Sequence, residues 1–143
     1  MTPDPAERLR AAAPAAFEGE SVTFAYLFGS RAIGQARPGS DVDVAVLLDE
    51  SVPPEEHLGA SLRLARRLAD CSGVAGIEAV VVLNAAPLPL AGRIRRQRLV
   101  LYSRDEPARV AYESYIARRY NDFRIHEAPR DRERLRAIAE GRR

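Results

Sequence analysis

The chain predicts an α/β (α+β) domain, with a small sheet covered on one face and helices between and after its strands. Three observations carry this. Apolar stretches rich in β-branched residues begin near positions 22, 41 and 77 and read as strands. Segments with helical periodicity separate and follow them. Gly19, Pro53-Pro54, Gly73 and Gly76 fall at the junctions, where breakers belong. At 143 residues the chain has room for one ordinary domain with a real core.

Residues 4 to 17 read as a helix. Asp4 is placed to cap it, Pro5 suits the first helical position, and Glu7 is spaced for a reciprocal capping box. Leu9, Ala12, Ala13, Ala16 and Phe17 supply its apolar face. Residues 22 to 28 form the first predicted strand, from their aromatic and β-branched content. Gly29-Ser30 follows at once, residues 31 to 35 fit a short helical turn, and Pro38-Gly39 marks a loop. Residues 41 to 48 form the second strand, with Asp41, Asp43 and Ala45 on one face and Val42, Val44 and Val46 on the other.

Glu55 and Glu56 open a helix that reaches about Asp70, with Arg66-Arg67 near its end to suit the dipole. Leu58, Leu62, Ala65, Leu68 and Ala69 are its expected buried stripe. Residues 77 to 83 form a third strand, apolar except for Glu78. A short helix is expected around 90 to 97 and a small strand at 99 to 102. Asp105 or Ser103 then starts a long helix to about Ile125, with Ala108, Tyr112, Tyr115, Ile116 and Phe123 along one side. Leu135, Ile138 and Ala139 suggest a last short helix. The expected organisation is one domain over 1–143: a helix at 4–17, a core at about 22–102 and a helical region at about 105–140.

Composition narrows the function classes. The chain is 46% hydrophobic and 29% charged, with no apolar run long enough for a transmembrane helix. Its start carries acids and lacks the apolar segment of a secretory signal. The single cysteine, Cys71, excludes an intramolecular disulfide and suits a reducing cytoplasm; a half-buried place near a helix end is expected for it. Net charge is only +2, but arginines cluster at Arg93, Arg95, Arg96 and Arg98 and at Arg118-Arg119. That asymmetry suits an anionic nucleotide or an acidic partner. With 6% aromatics and no base-reading motif, direct nucleic-acid binding is not expected. The glycine spacing fits neither a dinucleotide turn nor a Lys-Ser/Thr phosphate loop.

The chemistry concentrates in one stretch. Asp41 and Asp43, two apart on a strand, project to the same side, and two charged carboxylates so placed repel. A divalent cation relieves that repulsion, and Mg²⁺ shares oxygen ligands readily with substrate phosphates. Glu78, the lone charge in its strand, is the candidate third carboxylate; the other reading pairs it with an arginine of the 93–98 cluster. Gly29 lets backbone approach a phosphate closely. Ser30 offers a hydroxyl and an amide beside it. Arg31 adds charge or faces solvent. Ser40 either orients the carboxylate pair, contacts phosphate or caps a turn. His57 and His126 have no catalytic partner in the pattern.

Gly29-Ser30, ten residues, then Asp41-x-Asp43 resembles the nucleotidyltransferases of the DNA polymerase beta superfamily. The closer resemblance is to the minimal nucleotidyltransferases that include the MntA antitoxins, partners of HEPN-domain HepT toxins. It rests on Gly29-Ser30-Arg31-Ala32-x-Gly34, Ser40-Asp41-x-Asp43, Val81-Val82-Leu83-Asn84 and Leu101-Tyr102, and spans roughly residues 22 to 125. The family commonly has Asp where this chain has Glu78, whose longer arm changes the geometry. The resemblance implies a nucleotidyltransferase fold with a small mixed sheet flanked by helices. It implies transfer of AMP from ATP to a tyrosine of a toxin, with Asp41, Asp43 and Glu78 holding Mg²⁺ or Mn²⁺. Gly29, Ser30, Arg31 and Ser40 would contact the nucleotide.

The acceptor is less constrained. Antibiotic nucleotidyltransferases resemble this core but carry an added helical region or a dimer partner to form the drug pocket. Fewer than fifty residues follow the helix at 90–97, which favours a protein acceptor bringing its own surface. The other expectations are a small-molecule nucleotidyltransferase and a non-enzymatic binding antitoxin. A homodimer and a mixed toxin-antitoxin assembly both remain open.

Overall fold

The structure is a computed structural model and describes residues 4–34 and 41–127. The expectations for Ser40 and for a helix around Leu135 to Ala139 lie outside those residues. Among the described residues, strands β1 (Val22–Phe28), β2 (Asp43–Leu48), β3 (Val81–Val82) and β4 (Leu99–Ser103) form one sheet in the order β3-β2-β1-β4. β1 runs antiparallel to both β2 and β4, while β3 runs parallel to β2. The helices are α1 (Pro5–Ala16), α2 (His57–Ser72), α3 (Leu88–Gln97) and α4 (Glu106–Asp122).

Both faces of the sheet are covered, which corrects the expectation of one. Val22, Ala25, Leu27, Val44 and Val46 pack with Leu9, Ala13 and Phe17 of the α1 segment and with Leu64 and Leu68 of α2. Phe24, Tyr26, Phe28 and Ala45 pack on the opposite face with Ile94 of α3, and Tyr112 of α4 leans against them. Every residue of β1 is buried in consequence. A central strand hidden on both sides loses polar alternation and reads as a continuous apolar run.

Several local devices differ from the sequence reading. Asp4 makes no side-chain cap on α1, so the capping box with Glu7 does not form. The carbonyl of Asp4 instead accepts from the Arg8 amide, and Pro5 has no N–H to satisfy. On α2 the buried stripe is Ala60, Ser61, Leu64, Ala65 and Leu68, leaving Leu58 72% and Leu62 52% exposed. The rotation turns Ser61 inward, where its hydroxyl donates to the Val80 carbonyl at 2.5 Å. The Val80 amide donates back to the Ser61 carbonyl. Buried backbone groups need partners, and these two pairings answer that need. Cys71 is exposed in the last turn of α2 rather than half-buried. No described helix is long and apolar enough to cross a membrane.

Arg66-Arg67 do not complete the dipole of α2. Arg67 reaches the carbonyls of Ala15 and Glu18 at the end of α1, and with Arg63 it grips Glu20. Hydrogen bonds from Arg63, then Arg67, hold the Glu20 carboxyl below its usual range against the opposing effect of burial. A lowered folded pKa gives stability that is present above the unfolded value and lost as pH falls through the folded one. Glu20→Gln is therefore expected to cost about 1 kcal/mol at pH 7. In urea titrations the deficit should shrink as the pH drops below the usual carboxylate range. A deficit independent of pH would show that packing, not charge, accounts for Glu20.

β3 is shorter than the predicted 77–83 strand. Ile77 and Val80 both reach the α1/α2 core, three residues apart, so strand alternation fails between them. At its other end Asn84 pairs its side-chain amide with both the amide and the carbonyl of Leu48, at 2.9 and 2.8 Å. A side chain thus replaces the next backbone pairing and the strand stops. On the far face, Asp105 caps α4 by accepting from the Ala108 amide at 3.0 Å, as expected. Gly92 lets α4 approach α3, because a Cβ there would lie 2.4 Å from the Tyr120 ring.

Candidate active site

The site forms where β1 ends and β2 begins. Antiparallel pairing sets Asp43 opposite Phe28, one residue before Gly29. Gly29 takes φ +79°, a conformation that side chains disfavour. A Cβ there would sit 2.5 Å from the Asp43 Oδ2. The glycine is therefore needed twice, for its backbone angle and for the carboxylate resting against it. Its carbonyl accepts from the Ala32 and Ile33 amides, closing a turn that contains half-buried Ser30 and Arg31.

Asp41, Asp43 and Glu78 line one open cleft of about 190 Å³, with Val42, Gly76 and Ala79. The Val42 amide donates to the Gly76 carbonyl at 3.2 Å and pins the two segments side by side. Asp41 is exposed and lies just before β2, Asp43 is half-buried at its first residue, and Glu78 is exposed. The expectation of Glu78 as a lone charge inside an apolar strand is corrected, because it precedes β3 and faces solvent. Its proposed arginine partner does not materialise among the described residues, and Arg98 of that cluster pairs with Glu113 instead.

No three His, Cys, Asp or Glu side chains among the described residues converge closely enough to enclose a metal ion. Mg²⁺ in phosphate chemistry is held through one or two carboxylates plus substrate phosphates rather than by an all-protein cage. Asp41 and Asp43 supply that number, all their donors are hard oxygens, and the cleft is open enough to admit phosphate. The residues present fit a divalent cation that shares a nucleotide.

Two features escaped the sequence reading. Gln97, the last residue of α3, accepts from the Gly29 amide through Oε1 at 3.2 Å. The pairing of Leu27 with Leu99 carries Gln97 to a place opposite Gly29, and only strand register reveals it. Behind it, Glu113 of α4 is 8% exposed and held by Arg98 and Arg109. Burial, then the Glu113 carboxylate, push the Tyr26 phenol well up. Gln97 also lines a larger groove of about 650 Å³, with Pro89, Leu90, Arg93, Arg96 and Tyr120.

Gly29→Ala should be damaging beyond its size. The backbone angle alone costs about 1–2 kcal/mol for a residue with a Cβ. The displaced Asp43 carboxylate is expected to lower activity about tenfold or more, since small misplacements of reacting groups are costly. Thermal melts and activity of the same preparation would separate the two effects. Full activity in a folded Gly29→Ala protein would show that Asp43 is free to move.

A four-stranded mixed sheet flanked by helices, with a glycine turn against paired aspartates, is the architecture of a nucleotidyltransferase. The chain belongs to the polymerase beta nucleotidyltransferase family, whose model, described as "Polymerase beta, Nucleotidyltransferase", matches residues 14–107.

Solved structures add likeness of fold. One is a toxin-antitoxin with AMP-PNP, at TM-score 0.65 and 19% identity over 91% of this chain and 98% of that one. A second is a tri-AMPylated Shewanella oneidensis HEPN toxin in complex with MNT antitoxin, at 0.65 and 17%, over 91% and 98%. A third is the toxin-antitoxin MntA-HepT, at 0.64 and 17%, over 90% and 98%. No curated protein matches the chain in sequence.

Proposed function

We propose that this chain is an antitoxin that acts as a metal-dependent protein adenylyltransferase. It would transfer AMP from ATP to a tyrosine hydroxyl of a cognate HEPN-domain ribonuclease toxin and so neutralise it. The observation that carries an enzyme reading is the Asp43 carboxylate seated on Gly29, with Asp41 and Glu78 in the same cleft. Support for a protein acceptor comes from the toxin-antitoxin structures of like fold, one of them with an AMPylated toxin. The working unit is one minimal catalytic domain over 1–143, in a mixed assembly with the toxin in the cytoplasm.

In this reading Asp41 and Asp43 would hold Mg²⁺ or Mn²⁺ together with the nucleotide phosphates, and Glu78, expected from the sequence as a third ligand, lines the same cleft. Such an ion, when bound, would neutralise charge at the phosphates and favour ionisation of the attacking hydroxyl. The tyrosine oxygen attacks the α-phosphorus and forms a new O–P bond. The bond from that phosphorus to the bridging oxygen breaks, and pyrophosphate leaves. Glu78, exposed to the cleft, takes the phenolic proton. Ser30 presents hydroxyl and amide to the phosphates, Arg31 adds positive charge, and Ser40, which lies outside the described residues, is proposed from the sequence alone as a further nucleotide contact. Gln97 holds the Gly29 amide and with it the turn.

The test is intact mass of a co-purified partner after incubation with ATP and Mg²⁺. The partner should gain one or more AMP units, and none with the Asp41→Ala/Asp43→Ala protein. Gain on an aminoglycoside-type acceptor with an unchanged partner would move the reading to a small-molecule enzyme. Tight partner binding with no transfer to either would make the chain a binding antitoxin.

A further inference from the structure

Gly29 touches a lining residue of each of two spaces. The Asp43 carboxylate packed against it lines the 190 Å³ cleft, and Gln97, which accepts from its amide, lines the 650 Å³ groove between α3 and α4. The nucleotide reading occupies the cleft and leaves the groove unassigned. Arg93 and Arg96 stand one turn apart on α3, both exposed, and neither makes an ion pair with a described residue. Side chains three apart on a helix share a face. Guanidinium forks so placed match carboxylates bidentately. Pro89, Leu90 and the half-buried Tyr120 ring give the same groove an apolar and aromatic wall.

We propose that this groove is the acceptor subsite, and that it takes an acidic, tyrosine-bearing segment of the protein acceptor. Arg93 and Arg96 bind carboxylates flanking the target tyrosine, and the apolar wall receives the chain between them. The acceptor then reaches the reacting phosphate past Gln97 and Gly29, the contact that joins groove to cleft. A second helix face supports the separation of roles: Arg95 and Arg98 turn toward α4, where Arg98 is consumed by Glu113. Only Arg93 and Arg96 of the cluster line the groove.

The inference rests on the protein-acceptor reading, and its test keeps the two apart. The probes are a heptapeptide with a central tyrosine flanked by three glutamates on each side, and its glutamine counterpart. In calorimetric titrations the acidic peptide should bind at least tenfold tighter than the neutral one. Arg93→Gln/Arg96→Gln should erase that preference, Arg93→Lys/Arg96→Lys should restore part of it, and Arg66→Gln on α2 should leave it intact. In transfer assays the Arg93→Gln/Arg96→Gln protein should show a raised KM for the acidic peptide and an unchanged KM for ATP.

Equal binding of both peptides, or a preference that survives the double glutamine variant, overturns the proposal. So does competition between ATP and peptide for the groove, which would make it a nucleotide-tail site. Binding with the expected preference but no AMP transfer supports the subsite and counts against the enzyme reading instead.

Discussion

Asp43→Ala is expected to lower AMP transfer by about 10²–10³-fold, the range seen when one group that stabilises transition-state charge is removed. The Asp41→Ala/Asp43→Ala protein should show no measurable transfer. Neither change should unfold the chain. Asp41 is exposed, Asp43 is half-buried, and neither has an ion-pair partner among the described residues. Two carboxylates lining one cleft repel each other while no cation lies between them. Their removal relieves that repulsion, so stability should stay within about 0.5 kcal/mol of the parent or rise. Addition of Mg²⁺ with a non-hydrolysable ATP analogue should raise the Tm of the parent and not of the double variant. Label from the α-phosphate of ATP measures the chemistry, and a thermal melt measures the fold. Transfer that persists in the double variant would place the site elsewhere.

The same residues show how far the sequence reached. Gly29-Ser30 and Asp41-x-Asp43 were legible because their constraint is local. A left-handed glycine must follow the strand, and alternation puts the aspartates on one side. Register then brings Asp43 onto Gly29, a contact the sequence reading did not contain. Glu78 was legible as chemistry but not as geometry. Its segment looks like strand by composition, yet the core takes Ile77 and Val80 and breaks the alternation. Leu58 and Leu62 fit a helical stripe equally well on paper. The helix turned to Ser61 because backbone at Val80 needed partners, and no periodicity encodes that demand. The second covered face was written into β1 as a run in which Thr23 alone interrupts apolar and aromatic residues, a signal that the reading of a single covered face passed over. Gln97 left no such trace, since its role depends on pairing between strands about seventy residues apart.

Glu113→Ala should be the most destabilising single change outside the apolar core, at about 3 kcal/mol. Glu113 lies among apolar positions of α4 and is held by Arg98 from the end of α3 and Arg109 from one turn along. Its loss affects the two arginines unequally. Arg109 keeps Glu106, whose carboxyl it and Ser103 hold down to about 2. Among the described residues Arg98 keeps the Arg95 carbonyl alone and is left as a charge 31% exposed. An uncompensated, partly buried charge is the costly product of breaking such a pair, whereas apolar replacement of both partners is far milder. Glu113→Leu/Arg98→Met should therefore cost less than Glu113→Ala alone, although it changes more atoms. Urea midpoints for the three proteins decide this, and a double variant worse than the single one would show that the pair itself stabilises the fold. Burial is the first cause of the raised Tyr26 phenol, so it should remain raised in each variant. Arg98 directly follows Gln97, which holds the Gly29 amide. Loosening Arg98 is thus expected to lower kcat in protein that is still folded, carrying a disturbance from a buried ion network to the turn beside the aspartates.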